Sequence, residues 1–209
     1  MADRIEAIMR AAPVIPVLAI SRLSDAVPLA RALCGGGLRV LEITLRTDIA
    51  EDVIAAIARE VPDAIVGAGT VRRPDDLARV ARVGARFAVS PGLTPPLAEA
   101  AQSSPIPLLP GVATASEIMA AIDAGFSHLK FFPAESSGGL AAIRSFAGPF
   151  PDVRFCPTGG IDREKAAAYL AEKTVLCVGG SWIAPKDLVA SGDWIAIGRL
   201  AAEAAALGD

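Results

Sequence analysis

Short β-branched or aliphatic runs bounded by glycine or proline begin at Val14, Val40, Ala64, Arg86, Pro107, His128, Arg154 and Val175, so a new run starts every 21 to 26 residues. They cover 14–20, 40–45, 64–66, 86–89, 107–109, 128–132, 154–156 and 175–178, and read as strands. Between them lie alanine- and leucine-rich segments of helical period, among them 50–61, 74–83, 116–124 and 164–171. One helix between each pair of strands requires crossover connections and therefore a parallel sheet. Eight such units predict an α/β fold, a (β/α)8 TIM barrel, with residues 1–209 forming a single barrel domain near the short end of that fold's range. Segment 2–12 fits an extra N-terminal helix across the N-terminal mouth. An open doubly wound sheet is the alternative, but Gly67-Ala68-Gly69-Thr70 has Arg72 where its phosphate fingerprint needs a third glycine.

Composition excludes several classes of function. Hydrophobic residues make up 53% and charged residues 21%, which supplies a core and argues against disorder. Residues 11–20 reach only about half a membrane span and contain Pro13 and Pro16, so no membrane is implied. The opening MADRIEAIMR spreads its charges and lacks a secretory pattern, which predicts a cytoplasmic chain. A net charge of −3 gives no footprint for nucleic acid. Cys34, Cys156 and Cys177 form no CxxC and read as buried, inert thiols. The one histidine, His128, excludes a histidine-rich metal cluster and reads as a satisfied residue of the barrel floor.

In a barrel the chemistry sits where strands end. In His128-Leu129-Lys130-Phe131-Phe132-Pro133, alternation puts Lys130 on one face with His128 and Phe132, the face that would point inward. A buried ammonium costs several kcal/mol unless paired or neutral. Desolvation by Phe132 would favour the neutral amine, which is a nucleophile for carbonyls. In Val40-Leu41-Glu42-Ile43-Thr44-Leu45-Arg46-Thr47, the apolar face packs on helices and turns Glu42 toward the same interior, where a carboxylate suits general acid or base work. Arg46, at the strand's end, is placed to hold an anionic group. A purely structural Glu42–Arg46 or Glu42–Lys130 ion pair is the alternative.

Two turns point to a phosphorylated substrate. Pro157-Thr158-Gly159-Gly160-Ile161-Asp162 follows the seventh run, and Val178-Gly179-Gly180-Ser181-Trp182 follows the eighth. Paired glycines let backbone N–H groups approach an anion, and the loops after strands seven and eight are the recurrent phosphate site of barrels. Thr70 and Ser90-Pro91-Gly92 bring a hydroxyl and a rigid apolar wall to the same rim. The acidic pairs Glu51-Asp52 and Asp75-Asp76 fall in first helical turns, where the dipole favours them, and are not read as metal ligands.

The motifs Leu41–Thr47, Val66–Val71, Ser90–Gly92, Lys130–Glu135, Phe155–Ile161 and Gly179–Trp182, taken in order, resemble the 2-keto-3-deoxy-6-phosphogluconate (KDPG) aldolase family, which is often bifunctional with 4-hydroxy-2-oxoglutarate (KHG) aldolase activity. The resemblance implies a class I aldolase of the Entner–Doudoroff pathway, with Lys130 as Schiff-base lysine and Glu42 as acid/base. It implies further that Arg46, Thr70 and Pro91 line the carboxylate and pyruvyl pocket and that Phe132 packs by the lysine. Thr158 would lie near the substrate hydroxyls, and Gly159, Gly160, Gly180 and Ser181 would hold phosphate. It also implies a cytoplasmic homotrimer with no metal and no cofactor. A galactonate-epimer aldolase, a barrel epimerase and a non-catalytic phosphosugar-binding protein are the alternative readings.

Overall fold

The computed structural model describes residues 2–208. Strands β1 (Val14–Leu18), β2 (Val40–Thr44), β3 (Ile65–Gly69), β4 (Ala88–Val89), β5 (Leu108–Leu109), β6 (Gly111–Val112), β7 (His128–Phe131), β8 (Arg154–Pro157) and β9 (Val178–Gly180) pair only in parallel. One sheet runs β5-β4-β3-β2-β1-β9 and the other β6-β7-β8. Only Pro110 separates β5 from β6, while the bridges Phe155↔Val175 and Thr158↔Gly179 tie β8 to the β9 segment. The architecture is TIM-barrel-like, and its parallel strands bring their C-terminal ends to one rim.

Helices α1 (Ala2–Arg10), α2 (Leu23–Gly35), α3 (Ala50–Glu60), α4 (Pro74–Arg82), α5 (Pro95–Gln102), α6 (Ala115–Asp123), α7 (Gly139–Ala147), α8 (Arg163–Leu170), α9 (Lys186–Ser191) and α10 (Trp194–Ala205) fill the intervals and flank the strands. Their starts follow local chemistry. Thr114 Oγ1 accepts from the Glu117 N–H, and the Glu117 carboxylate accepts from the Ala113 and Thr114 N–H groups, a capping box at α6. At α4 the Asp76 carboxylate accepts from the Arg72 and Arg73 N–H groups, with Pro74 at the first helical position. Asp76 and Glu51 also both pair with Arg79, so these acids are partly side-chain partners as well as dipole partners. In α1, Ile5 and Met9 face the core, Met9 without exposure.

Three strand expectations are corrected. Run 64–66 stops short, because β3 continues through Gly67, Ala68 and Gly69, residues with weak strand propensity. An ideal Cβ at Gly67 would overlap the Phe87 ring and one at Gly69 the Glu42 carboxylate, so bulk from neighbouring strands replaces side chains there. Run 107–109 is two pieces, since Pro110 has no N–H to donate. Its carbonyl instead accepts from Lys130 N–H at 2.8 Å. Run 175–178 lies too early. Val175 pairs with Phe155 of β8, whose N–H donates to Thr174 O and whose carbonyl accepts from Leu176 N–H, and the chain then crosses to pair Val178, Gly179 and Gly180 with Val14, Ile15 and Pro16.

Candidate active site

Lys130 and Glu42 meet inside the curled sheet. In β7, Lys130 stands between Gly111 of β6 and Cys156 of β8; in β2, Glu42 stands between Val17 of β1 and Gly67 of β3. Their side chains cross the interior and place Nζ 3.2 Å from Oε1. Both are buried, at 6% and 3% exposure. Gly69 leaves the room that the Glu42 carboxylate fills, and the Phe132 ring is centred 5.2 Å from Nζ. Of the two ion pairs left open by the sequence, only Glu42–Lys130 is formed. Arg46 follows β2 and is exposed at the rim. Thr44, on Glu42's face, donates to the Leu18 carbonyl at 2.9 Å and ties β2 to β1.

Thr70, just after β3, has φ +61, a left-handed conformation that costs a non-glycine residue on the order of 1–3 kcal/mol. It is anchored by its neighbours: Leu45 N–H donates to Gly69 O at 2.8 Å and Val71 N–H to Val89 O at 3.1 Å. Pro91 is exposed at the same rim, and an ideal Cβ at Gly111 would overlap its backbone. Ser90, which the sequence places at the rim with Pro91, is fully buried, and its Oγ is unpartnered among the described residues.

The two glycine pairs do different work. Gly159 (φ +107) and Gly160 (φ +75) occupy conformations that favour glycine. Gly179 lies so close to Thr158 that a Cβ would overlap its side chain, and a Cβ on Gly180 would overlap the Trp182 ring. The Thr158↔Gly179 bridge sets both turns side by side, with Ser181 exposed beyond them. Thr158 O accepts from Ala134 N–H at 2.8 Å, Gly159 O from Glu135 N–H at 3.1 Å and Gly160 O from the Lys165 ammonium at 3.1 Å. In a trans peptide C=O and the next N–H point in opposite directions, so the N–H groups of Gly159, Gly160 and Ile161 point away from those partners. The Gly159 N–H faces Gly179 across the Thr158↔Gly179 bridge, while the N–H groups of Gly160 and Ile161 find no acceptor among the described residues. Successive unpaired N–H groups in such a turn form an anion-binding concavity.

Other predicted positions fall away from this rim. His128 begins β7 and is buried, with Nδ1 3.1 Å from Ser127 Oγ and Nε2 3.5 Å from Glu6 Oε2 of α1. Nε2 has no hydrogen-bond partner among the described residues, so the ring is not the fully satisfied histidine expected from sequence. Burial holds its pKa below the usual value, against the pull of Glu6. Cys156 and Cys177 are buried, while Cys34 is partly exposed. The Cys177 thiol is held well above its usual range by a hydrogen bond with Cys156 and by burial.

The family model for KDPG and KHG aldolases matches residues 5–200. The chain belongs to the KDPG and KHG aldolase family. Among aldolases of this family, the KHG/KDPG aldolase of Escherichia coli K12 is 55% identical over 199 residues, 95% of this chain and 93% of that one. KDPG aldolase from Zymomonas mobilis ZM4, solved with 3-phosphoglycerate, superposes with a TM-score of 0.94 at 48% identity, covering 99% of this chain and 97% of that one. KDPG aldolase from Legionella pneumophila, with pyruvate captured at low pH as a covalent carbinolamine, also has a TM-score of 0.94, at 46% identity over 96% and 97% of the two chains. No helix among the described residues is long and apolar enough to cross a membrane.

Proposed function

We propose that this family member is a class I aldolase that cleaves 2-keto-3-deoxy-6-phosphogluconate to pyruvate and glyceraldehyde 3-phosphate, and 4-hydroxy-2-oxoglutarate to pyruvate and glyoxylate. The observation that carries this reading is the buried Lys130–Glu42 pair. The chain has four lysines, and Lys165, Lys173 and Lys186 are exposed. Of the four lysines, Lys130 is therefore the one with an interior site and an acid beside it.

Passing a proton from the Lys130 ammonium to Glu42 frees the amine lone pair and leaves a carboxylic acid in place. The amine adds to the C2 ketone, and Glu42 protonates the departing hydroxyl of the carbinolamine to give an iminium. Glu42 then takes the C4 hydroxyl proton, the C3–C4 electrons flow into the iminium, and the aldehyde leaves. Protonation of the enamine at C3 and hydrolysis release pyruvate and the free lysine. The iminium is the electron sink, so the sequence of steps calls for no metal or cofactor. Arg46 and Thr70 hold the carboxylate, Pro91 and Phe132 wall the pyruvyl group, and Thr158 lies near the hydroxyls. Gly159, Gly160, Gly180 and Ser181 take the phosphate, far enough from C2 that its binding energy orients the scissile bond.

The same reading takes 1–209 as one (β/α)8 barrel domain with α1 as an additional helix, acting in the cytoplasm as a homotrimer. Met119 and Ile122 of α6 and Ile195 of α10 are exposed apolar side chains available to such contacts. Borohydride reduction in the presence of pyruvate, followed by peptide mass mapping, tests the assignment. The expected adduct is on Lys130; an adduct on another lysine, or none, defeats it.

A further inference from the structure

Glu135, Lys165 and Tyr169 form a polar cluster behind the Thr158–Gly160 turn. Glu135 opens the one-turn helix Glu135–Ser137 after β7, while Lys165 and Tyr169 lie one turn apart on α8. Tyr169, nearly fully buried, donates its hydroxyl to Glu135 Oε1 at 2.6 Å. Lys165 Nζ lies 3.0 Å from Glu135 Oε2 and also donates to the Gly160 carbonyl. Glu135's own N–H holds the Gly159 carbonyl, and an ideal Cβ at Gly160 would fall 2.9 Å from Glu135 Cβ and Cγ. The turn is thus gripped from behind at consecutive carbonyls, which fixes the direction of the free Gly160 and Ile161 N–H groups.

The cluster also settles charge. Glu135 would put an unneutralised carboxylate against a turn meant for an anion; the Lys165 ammonium cancels it. Lys165 is about half exposed, and an ion pair so placed contributes only ~0–1 kcal/mol to folding. Stability therefore gives little reason for it. We infer that Lys165, acting through Glu135 and the Gly160 carbonyl with Tyr169 as anchor, is a positioning residue that sets affinity for the substrate's phosphate and leaves the carbon–carbon cleavage untouched. This rests on the reading that the Gly159–Gly160 turn takes the phosphate.

The test compares Lys165→Met, Tyr169→Phe and Lys165→Arg with the parent enzyme, using KDPG, unphosphorylated KHG and inorganic phosphate as a competitor against KDPG. Loss of a hydrogen bond to a charged group is expected to raise KM for KDPG and the inhibition constant of phosphate about tenfold in Lys165→Met. A smaller rise in the same direction is expected in Tyr169→Phe. The KHG KM and kcat on both substrates should stay near parental values, Tm should stay near parental in Lys165→Met and fall modestly in Tyr169→Phe with loss of its buried hydrogen bond, and Lys165→Arg should restore phosphate affinity. If phosphate competes in the parent but the Lys165→Met and Tyr169→Phe constants are unchanged, or rise equally for both substrates, the positioning role is overturned and the phosphate reading stands. If phosphate does not compete even in the parent, the phosphate reading itself falls and takes this inference with it.

Discussion

Lys130 Nζ and Glu42 Oε1 are 88 residues apart in the chain and 3.2 Å apart in space, in an interior that leaves each side chain almost no exposure. A buried ion pair is a poor way to gain stability, because desolving two charges consumes most of what their attraction returns. The surroundings keep the pair and the space it needs: Gly69 yields to the carboxylate and Phe132 caps the amine. Such an arrangement makes sense as proton-transfer machinery.

Glu42→Gln removes the proton carrier while keeping a side chain of the same size. Cleavage of KDPG and exchange of pyruvate methyl protons with solvent are expected to fall by about 10²–10⁴-fold, the usual worth of a general acid/base. Substrate binding should persist. Stopped-flow binding and NMR exchange check this, and near-parental turnover would remove Glu42 from the mechanism.

Stability separates the pair's two roles. Lys130→Met alone strands a carboxylate in the interior, and a loss of about 3–5 kcal/mol is expected. The double variant Lys130→Met/Glu42→Leu should recover most of that loss while remaining inactive. Urea unfolding of both reads the difference; equal destabilisation in the two would show that the buried charge is not what hurts.

Much of this arrangement was legible in the sequence, because period-2 alternation depends only on strand geometry. Glu42 and Lys130 could be turned inward from their own strands, and Asp76 could be placed in a first helical turn from local sequence, though as a dipole partner rather than the cap it also is. The glycine turns were equally local. What escaped depends on neighbours distant in sequence. Gly67 and Gly69 belong to a strand because Phe87 and Glu42 fill their space, and no local propensity carries that information. The shift from run 175–178 to β9 follows from the contacts of Val175 and Leu176 with Phe155. The cluster of Glu135, Lys165 and Tyr169 joins residues 30 and 34 positions apart, beyond any spacing rule.

Gly69→Ala tests how tightly the carboxylate is seated. A methyl group there overlaps Glu42 and must push it off Lys130, and a displacement near 1 Å can cost on the order of 10²-fold in rate. A fall in kcat of that size is expected, with borohydride trapping of pyruvate at Lys130 slowed as well. Parental kcat would mean the carboxylate has freedom that the packing denies it.

Ser181→Ala removes a hydroxyl from the second turn. The KM for KDPG should rise about tenfold, as for one hydrogen bond to a charged group, while the KM for KHG should change little. An equal rise for the two substrates would place Ser181 outside the phosphate site.

His128 gives a pH dependence of stability whose sign follows from its surroundings. Burial disfavours the charged ring and holds its pKa below the usual 6.5; Glu6 opposes this, while Arg154 and Arg10 add to it. Below pH 6.5 the unfolded chain therefore binds a proton that the folded chain resists, so unfolding free energy rises with pH in that window. The contribution is intact above 6.5 and is lost as pH falls toward the folded value, with a slope of at most ~1.4 kcal/mol per pH unit for one proton. Glu6, whose pKa is lowered from 4.5 chiefly by its hydrogen bond with Arg10, contributes stability that disappears only below 4.5, so the two windows separate. Urea midpoints taken stepwise from pH 7.5 to 5 should decline in the parent and stay flatter in His128→Gln. The same decline in both would assign the loss to another group, and a parent that gains stability on acidification would mean that Glu6, at 3.5 Å from Nε2, outweighs the burial of the ring.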